Sequence, residues 1–265
     1  MTLLWDECEG EKHIVLLGKE PWRIVEAQHI SSSRDLVDTL EEHDFLEALL
    51  EESKPPVLKQ KDYLIFTPFR YPPLKYGSRF GHHYEPSLWY GSQELSTAFA
   101  EVAYYRLQFF QDTGAHLDYI EIPMTAFQTV MMTQRGIDLT KPPFKNHRAQ
   151  ISHNQSYEYS QPLGTAMRSA QIEAFVYYSA RTQKPGKNIA AFTPAVFQQK
   201  NSQYVQQQQN WICMANQHQI EFTRLGILER ERWIFAKEDY QEIATQSGLT
   251  QNSEVEADLV FNEGV

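Results

Sequence analysis

The stretch from Gly77 to Glu101 constrains this chain more than any other. It passes from a glycine turn signal (Gly77-Ser78-Arg79-Phe80) through a short aromatic strand (Leu88-Trp89-Tyr90-Gly91-Ser92) into a helix (Ala98-Phe99-Ala100-Glu101-Val102). Arg79, Tyr90 and Glu101 follow one another at intervals of eleven residues (90 − 79 = 11; 101 − 90 = 11). A loop cation, a strand aromatic and a helix carboxylate converge only where turn, strand and helix fold around one pocket. Such a pocket suits a ligand that carries phosphates, a flat ring and a sugar.

The helix is the strongest periodic segment. Leu95 to Phe110 places Ala98, Val102, Tyr105 and Phe109 at helical spacing, which predicts a core-facing apolar stripe. Glu101 borders that stripe, so its carboxylate is half-buried or directed into a cleft. Strands are predicted at Trp22–Val25, Tyr63–Phe66, Ser87–Tyr90, Tyr119–Ile122 (ended by Pro123), Thr125–Thr133, Ala174–Tyr178 and Ile189–Phe192. Trp211–Met214 and Ile220–Leu225 read as a final pair. Ser31 to Ser33 offer helix N-caps, Asp35 to Glu52 reads as two acidic helices, and Lys54-Pro55-Pro56 stops them. Pro68, Pro72 and Pro73 break up a loop, and Tyr159–Ala170 is a further helix. The glutamine-rich run from Gln198 to Gln209 reads as a linker or an exposed helix, and the acidic tail after Thr250 as poorly ordered.

Composition narrows the function classes. A net charge of −10 across 265 residues, without a basic stripe, argues against direct contact with nucleic acid. Cys8 and Cys213 are the only cysteines, with no CxxC and no cluster at zinc spacing, so no metal site is expected and a reducing cytoplasm is. The adjacent pair His82-His83 points opposite ways on an extended segment and makes a poor ligand set. Ile14-Val15-Leu16-Leu17 is too short for a signal core or a membrane span, so a soluble protein without membrane contact is expected. There is no Walker loop, no GxGxxG and no Gly-x-Ser-x-Gly elbow.

Four ordered blocks resemble the RES domain, a family named for an arginine, a glutamate and a serine. They are Gly77–Phe80, Leu88–Ser92, Ala98–Val102, and a downstream run from Gln161-Pro162-Leu163-Gly164 through Met167-Arg168 to Ala174–Arg181, Asn188 and Phe192-Thr193-Pro194. The resemblance covers residues 62 to 200 and extends to Trp22-Arg23-Ile24-Val25. It implies an α+β fold with a mixed sheet like that of ADP-ribosyltransferases, with helical insertions on the N-terminal side. The expected organisation is a strand and helical extension (1–61), a RES core (62–200) and a C-terminal extension with an acidic tail (201–265).

The resemblance also implies a toxin of the RES–Xre type, which cleaves NAD⁺ at the nicotinamide–ribose bond with phosphate or water as acceptor. It further implies an Xre-type helix-turn-helix antitoxin as protein partner. NAD⁺ is then the substrate, inorganic phosphate a co-substrate, and no metal takes part. Arg79, Tyr90, Glu101 and Ser179 are the catalytic candidates, and Arg23, Arg70 and Asn188 the dinucleotide-binding ones. The residues themselves make sense of these roles. A carboxylate near the ribose steadies an oxocarbenium-like state or holds a ribose hydroxyl, an arginine fork suits a pyrophosphate, a tyrosine stacks on nicotinamide or donates its hydroxyl, and a strand-end serine reaches a phosphate or a ribose. A helical insertion (residues 31 to 56) separates Arg23 from the glycine turn and leaves Arg23 and Arg70 in competition for the pyrophosphate. Transfer of ADP-ribose to a protein, a catalytically silent interaction module and a homodimer all stay open.

Overall fold

The longest strand organises the molecule. In the computed structural model, which describes residues 4–27, 37–53, 62–70, 73, 75–113, 118–228 and 230–246, β4 runs unbroken from Ile120 to Asp138. Before it come α1 (Leu4–Glu7), β1 (Val15–Lys19), β2 (Trp22–Glu26), α2 (Leu40–Ser53), α3 (Tyr63–Arg70), β3 (Trp89–Ser92) and α4 (Leu95–Asp112). After it come α5 (Arg148–Ile151), α6 (Ser160–Ser169), β5 (Ala174–Tyr178), β6 (Lys187–Ala191), β7 (Phe197–Gln198), β8 (Val205–Ala215), β9 (Gln219–Arg224), β10 (Arg232–Ala236) and α7 (Lys237–Gln246). The result is the α+β architecture with a mixed sheet that the sequence led us to expect.

β1 and β2 run one after the other along one edge of β4, pairing with residues 131–136 and then 124–128. The opposite edge takes β8 against 120–129, β7 against 130–131 and, in parallel, β5 against 136–138. From β2 the ladder continues to β3, β6 and β5, and β5 returns to the far end of β4. The five strands β4, β2, β3, β6 and β5 therefore close into a ring, while β8, β9 and β10 extend from it as an antiparallel meander. A closed ring removes edges there and fixes β3 between β2 and β6.

Three aromatic-rich clusters fill the interior. Leu17, Val25, Phe66, Trp89, Phe127 and Val176 form one of them. Phe80, Phe144, Phe175 and Tyr177 pack beneath α6 with Trp5 from α1. Phe99, Trp211 and Phe222 anchor α4 on the meander, with ring centroids 4.6 and 4.5 Å from Phe99 to its two partners.

Several expectations are corrected. Tyr63–Phe66 is the first half of helix α3, not a strand, and Pro68 lies inside that helix. Four consecutive apolar residues carry no period that separates strand from helix. Pro123 does not end a strand. It lies inside β4 opposite Ile212 of β8, its carbonyl accepts from the Ala27 amide at 2.8 Å, and its missing N–H forgoes only the reciprocal bond to Ala27, one residue past the end of β2. The glutamine run is neither linker nor helix, since Val205–Gln209 opens strand β8. Gln207 lies directly opposite Gln128 and donates to it at 3.0 Å, a cross-strand pair that uses amides where apolar residues are usual.

The acidic segment forms one helix, α2, rather than two, and Leu40, Phe45 and Leu49 on it are exposed. The expected caps at Ser31 to Ser33, the stop at Lys54-Pro55-Pro56 and the tail after Thr250 lie outside the described residues. Neither β1 nor β10 was foreseen.

The α4 stripe is corrected as well. The buried face is Ala98, Phe99, Ala103, Leu107 and Phe110, whereas Val102, Tyr105 and Phe109 line a cleft on the same side as Glu101. Both faces are apolar, so periodicity alone does not reveal which one meets the sheet.

Candidate active site

The cleft lies between α4, the end of the β2–β3 ladder and the turn at residues 76–79, with a volume of about 320 Å³. That size falls at the lower end of small-ligand sites. Arg23, Arg79, Tyr90, Glu101 and Asn188 all line it. Ser179 stands directly behind the carboxylate of Glu101. Arg70 ends α3, buried, and does not line the cleft. Of the two competing arginines, Arg23 is the one placed on it.

Glu101 is held, not loose. Ser179 Oγ and Asn188 Nδ2 both donate to its Oε1, each at 2.6 Å. Each of the two side chains is itself held in place. Ser179 Oγ also accepts the Arg181 amide at 3.0 Å, and Asn188 Oδ1 accepts Ser92 Oγ at 2.8 Å. Ser92 and Asn188 face each other in the β3–β6 register, so the sheet itself aims the carboxamide at the helix. Ser92, Ser179 and Asn188 are each 2% exposed. Charge-assisted hydrogen bonds in such a dry setting fix one carboxylate oxygen and leave Oε2 without a protein donor among the described residues.

Arg181, buried two residues beyond Ser179, supplies positive charge close to Glu101. Its guanidinium lies 3.3 Å from the Tyr104 ring centroid. Burial acts to depress it, but Tyr104, Tyr105 and Glu101 outweigh burial and hold it above its ordinary value. Arg181 therefore stays charged and offsets Glu101.

Arg23 and Arg79 approach the cleft differently. Arg23 donates through Nη1 to the Tyr90 carbonyl at 2.6 Å, rests 5.5 Å from the Trp89 ring centroid, and leaves its buried Nε unpartnered. Burial lowers this guanidinium to about 10. A buried cation with an orphaned donor on the cleft wall suits an anionic ligand. Arg79 donates to the His153 carbonyl at 2.6 Å and stacks 5.0 Å over Tyr157.

The turn that carries Arg79 is pinned from two sides. Gly77 adopts φ +76, where a side chain is strained, and its own Cβ would stand 2.2 Å from the Gly81 carbonyl oxygen. The Tyr90 hydroxyl meets Ser78 Oγ at 2.8 Å and accepts the Phe80 amide at 3.2 Å, and burial pushes its pKa to about 12. Tyr90 is thus a neutral brace whose ring, not its hydroxyl, is available to a ligand. From α6, Gln161 Nε2 donates to the Tyr76 and Ser78 carbonyls, each at 3.1 Å.

Sequence reasoning did not single out Ser92, Tyr105, Arg106, His153, Tyr157 or Arg181. Ser92 and Arg181 end two of the quoted motif blocks and Tyr105 stands in the predicted α4 stripe, but none of them carries a site role in the sequence reading. His153, whose carbonyl holds Arg79, and Tyr157, whose ring faces it, come from a loop without a pattern. His153 also carries a pH dependence. Its Nδ1 accepts the amides of Gln155 and Ser156 at 3.1 and 2.8 Å, and burial, then Arg79 and Arg181, lowers its pKa. The folded state favours the neutral ring, so this contribution is complete above the unfolded value of about 6.5 and is lost as pH falls through the lower folded value. The melting temperature of the wild type is therefore expected to drop between pH 6.5 and 5 more steeply than that of His153→Asn, which keeps an acceptor but does not titrate. Parallel melting curves for the two proteins over that range would contradict it.

The RES domain model matches residues 55–212, and the chain belongs to the RES domain family. No curated protein matches this chain. Among solved structures it is similar to a chain of the M. tuberculosis MbcT-MbcA toxin-antitoxin complex, with a TM-score of 0.45 at 9% identity over 91% of this chain and 97% of that one. Among the described residues no helix is long and apolar enough to cross a membrane.

Proposed function

We propose that this protein is a RES-type toxin that degrades NAD⁺ by breaking the nicotinamide–ribose bond. The observation that carries the reading is the carboxylate of Glu101, fixed by Ser179 and Asn188 on the wall of a cleft that also presents Arg23 and Arg79. In the proposed reaction the arginines take the pyrophosphate, and the Tyr90 ring packs against the nicotinamide end. The C–N bond breaks with its electron pair going to the pyridinium nitrogen, so nicotinamide leaves neutral and positive charge develops on the ribose. Glu101 stabilises that charge through Oε2. An oxygen of phosphate or water then forms the new bond to the ribose carbon and gives up a proton, leaving ADP-ribosyl phosphate or ADP-ribose. No metal is required by these steps.

The partner we propose is an Xre-type helix-turn-helix antitoxin that occludes the cleft and supplies DNA contact. The net charge of −10 favours such a basic partner over nucleic acid itself. Expression of the wild-type chain without antitoxin should arrest growth and empty the cellular NAD⁺ pool. Growth arrest with an intact pool and ADP-ribose added to cell proteins, read by mass spectrometry, would replace degradation by protein-directed transfer.

A further inference from the structure

The last helix reaches the site from behind. α7 lies beyond residues 55–212, the stretch matched by the RES domain, and follows β10 at the outer edge of the meander. Its start is fixed: the Lys237 amide donates to the His218 carbonyl at 2.9 Å, and the Asp239 carboxylate accepts the Ala236 amide at 2.9 Å. From there Tyr240 turns onto α4. Its hydroxyl donates to the Ala100 carbonyl at 2.8 Å, one residue before Glu101, and its ring meets Tyr104 edge-on at 5.6 Å. A carbonyl has two lone pairs, so this bond adds to the helical one from the Tyr104 amide rather than displacing it. Burial, then Glu101, pushes the Tyr240 phenol well above its ordinary value, so it stays a donor. The chain of contacts continues to the other half of the site. Tyr104 is the platform for the Arg181 guanidinium, 3.3 Å from the ring centroid, and the Arg181 amide donates to Ser179 Oγ. Arg181 is 5% exposed and its Nε finds no hydrogen-bond partner among the described residues, which gives the ring contact weight in seating it. Gln183 on the same loop donates to Glu242 of α7 at 3.3 Å, an exposed bond that contributes little by itself.

We propose that Tyr240 is a positioning residue: through the Ala100 carbonyl and the Tyr104 ring it holds the Glu101 turn of α4 against the Ser179–Arg181 segment. The role rests on the NAD⁺ reading given above. Tyr240 serves the carboxylate during bond cleavage and takes no part in binding, since neither it nor Arg181 lines the cleft. Small movements matter here, because a displacement of about 1 Å in a group that acts on the reacting atoms costs on the order of 10²-fold in rate. A helix outside the RES stretch thus completes the site.

The test follows nicotinamide release from NAD⁺ by the full chain, well below each variant's melting temperature, in Tyr240→Phe, in Tyr240→Ala and in both combined with Glu101→Gln. Tyr240→Phe keeps the ring and loses the donor, and kcat should fall about three- to tenfold. Tyr240→Ala loses both, and kcat should fall about tenfold or more. KM for NAD⁺ should stay unchanged in each. In the Glu101→Gln background the same substitutions should cost almost nothing further, because they act through the carboxylate. Amide hydrogen exchange gives a readout without substrate, and it should speed up in residues 100–105 and 179–186, far from Tyr240 in sequence. Tyr240→Phe keeps the test open if Tyr240→Ala folds poorly. Wild-type kcat in both variants, or the same fold-loss with and without the Glu101 carboxylate, would overturn the positioning role and leave NAD⁺ cleavage standing. If the wild type releases no nicotinamide, the NAD⁺ reading fails and exchange decides: faster exchange at 100–105 supports the positioning, and unchanged exchange overturns it.

Discussion

Glu101→Gln is expected to lower NAD⁺ cleavage by about 10²–10³-fold, the scale on which removal of one well-placed electrostatic group acts, or roughly 3–4 kcal/mol of transition-state stabilisation. The substitution is unusually clean. A glutamine carbonyl still accepts from Ser179 Oγ and Asn188 Nδ2, so both 2.6 Å contacts survive, and only the charge and the Oε2 acceptor are lost. The melting temperature should move little beside the loss of rate. KM should move little too, because the interaction is made with charge that develops only in the transition state. A Glu101→Gln protein with near wild-type kcat would remove the carboxylate from the mechanism.

The second large effect lies at Gly164, away from the chemistry. A Cβ there would stand 2.0 Å from the Phe80 carbonyl oxygen and 2.7 Å from its carbon, both backbone atoms that no rotamer can clear. Even Gly164→Ala must push α6 off the turn, loosening the Gln161 bonds to Tyr76 and Ser78 and the seat of Arg79. We expect a cost of about 1–3 kcal/mol, typical of overpacking, or several degrees in melting temperature. KM for NAD⁺ should rise as Arg79 loses its position. Gly164→Val should be worse on both counts. A Gly164→Ala protein that melts and binds like wild type would show that α6 does not set the turn.

These two positions show what the sequence carried and what it did not. Arg79, Tyr90 and Glu101 could be read as one pocket because turn, strand and helix follow one another closely enough for local signals to place all three. Gly164 could be read only as part of a family block, since the close approach it permits joins segments more than eighty residues apart in sequence. The roles of Ser179, Asn188 and the Tyr90 hydroxyl were not legible. A hydroxyl or carboxamide serves a ligand or the protein equally well, and only the folded contacts show that these groups hold Glu101 and the Arg79 turn, with Asn188 aimed by its register against Ser92. The misread elements share a cause. Apolar Tyr63–Phe66 is helical and polar Gln206–Gln209 is a strand because their neighbours in space, the cluster around Trp89 and the edge of β4, decide their state.

The central claim is most directly tested by incubating the purified protein with NAD⁺, with and without inorganic phosphate, and following free nicotinamide by chromatography. The account predicts nicotinamide release, as a phosphorylase if phosphate is required and as a glycohydrolase if it is not. NAD⁺ left intact under both conditions would contradict it.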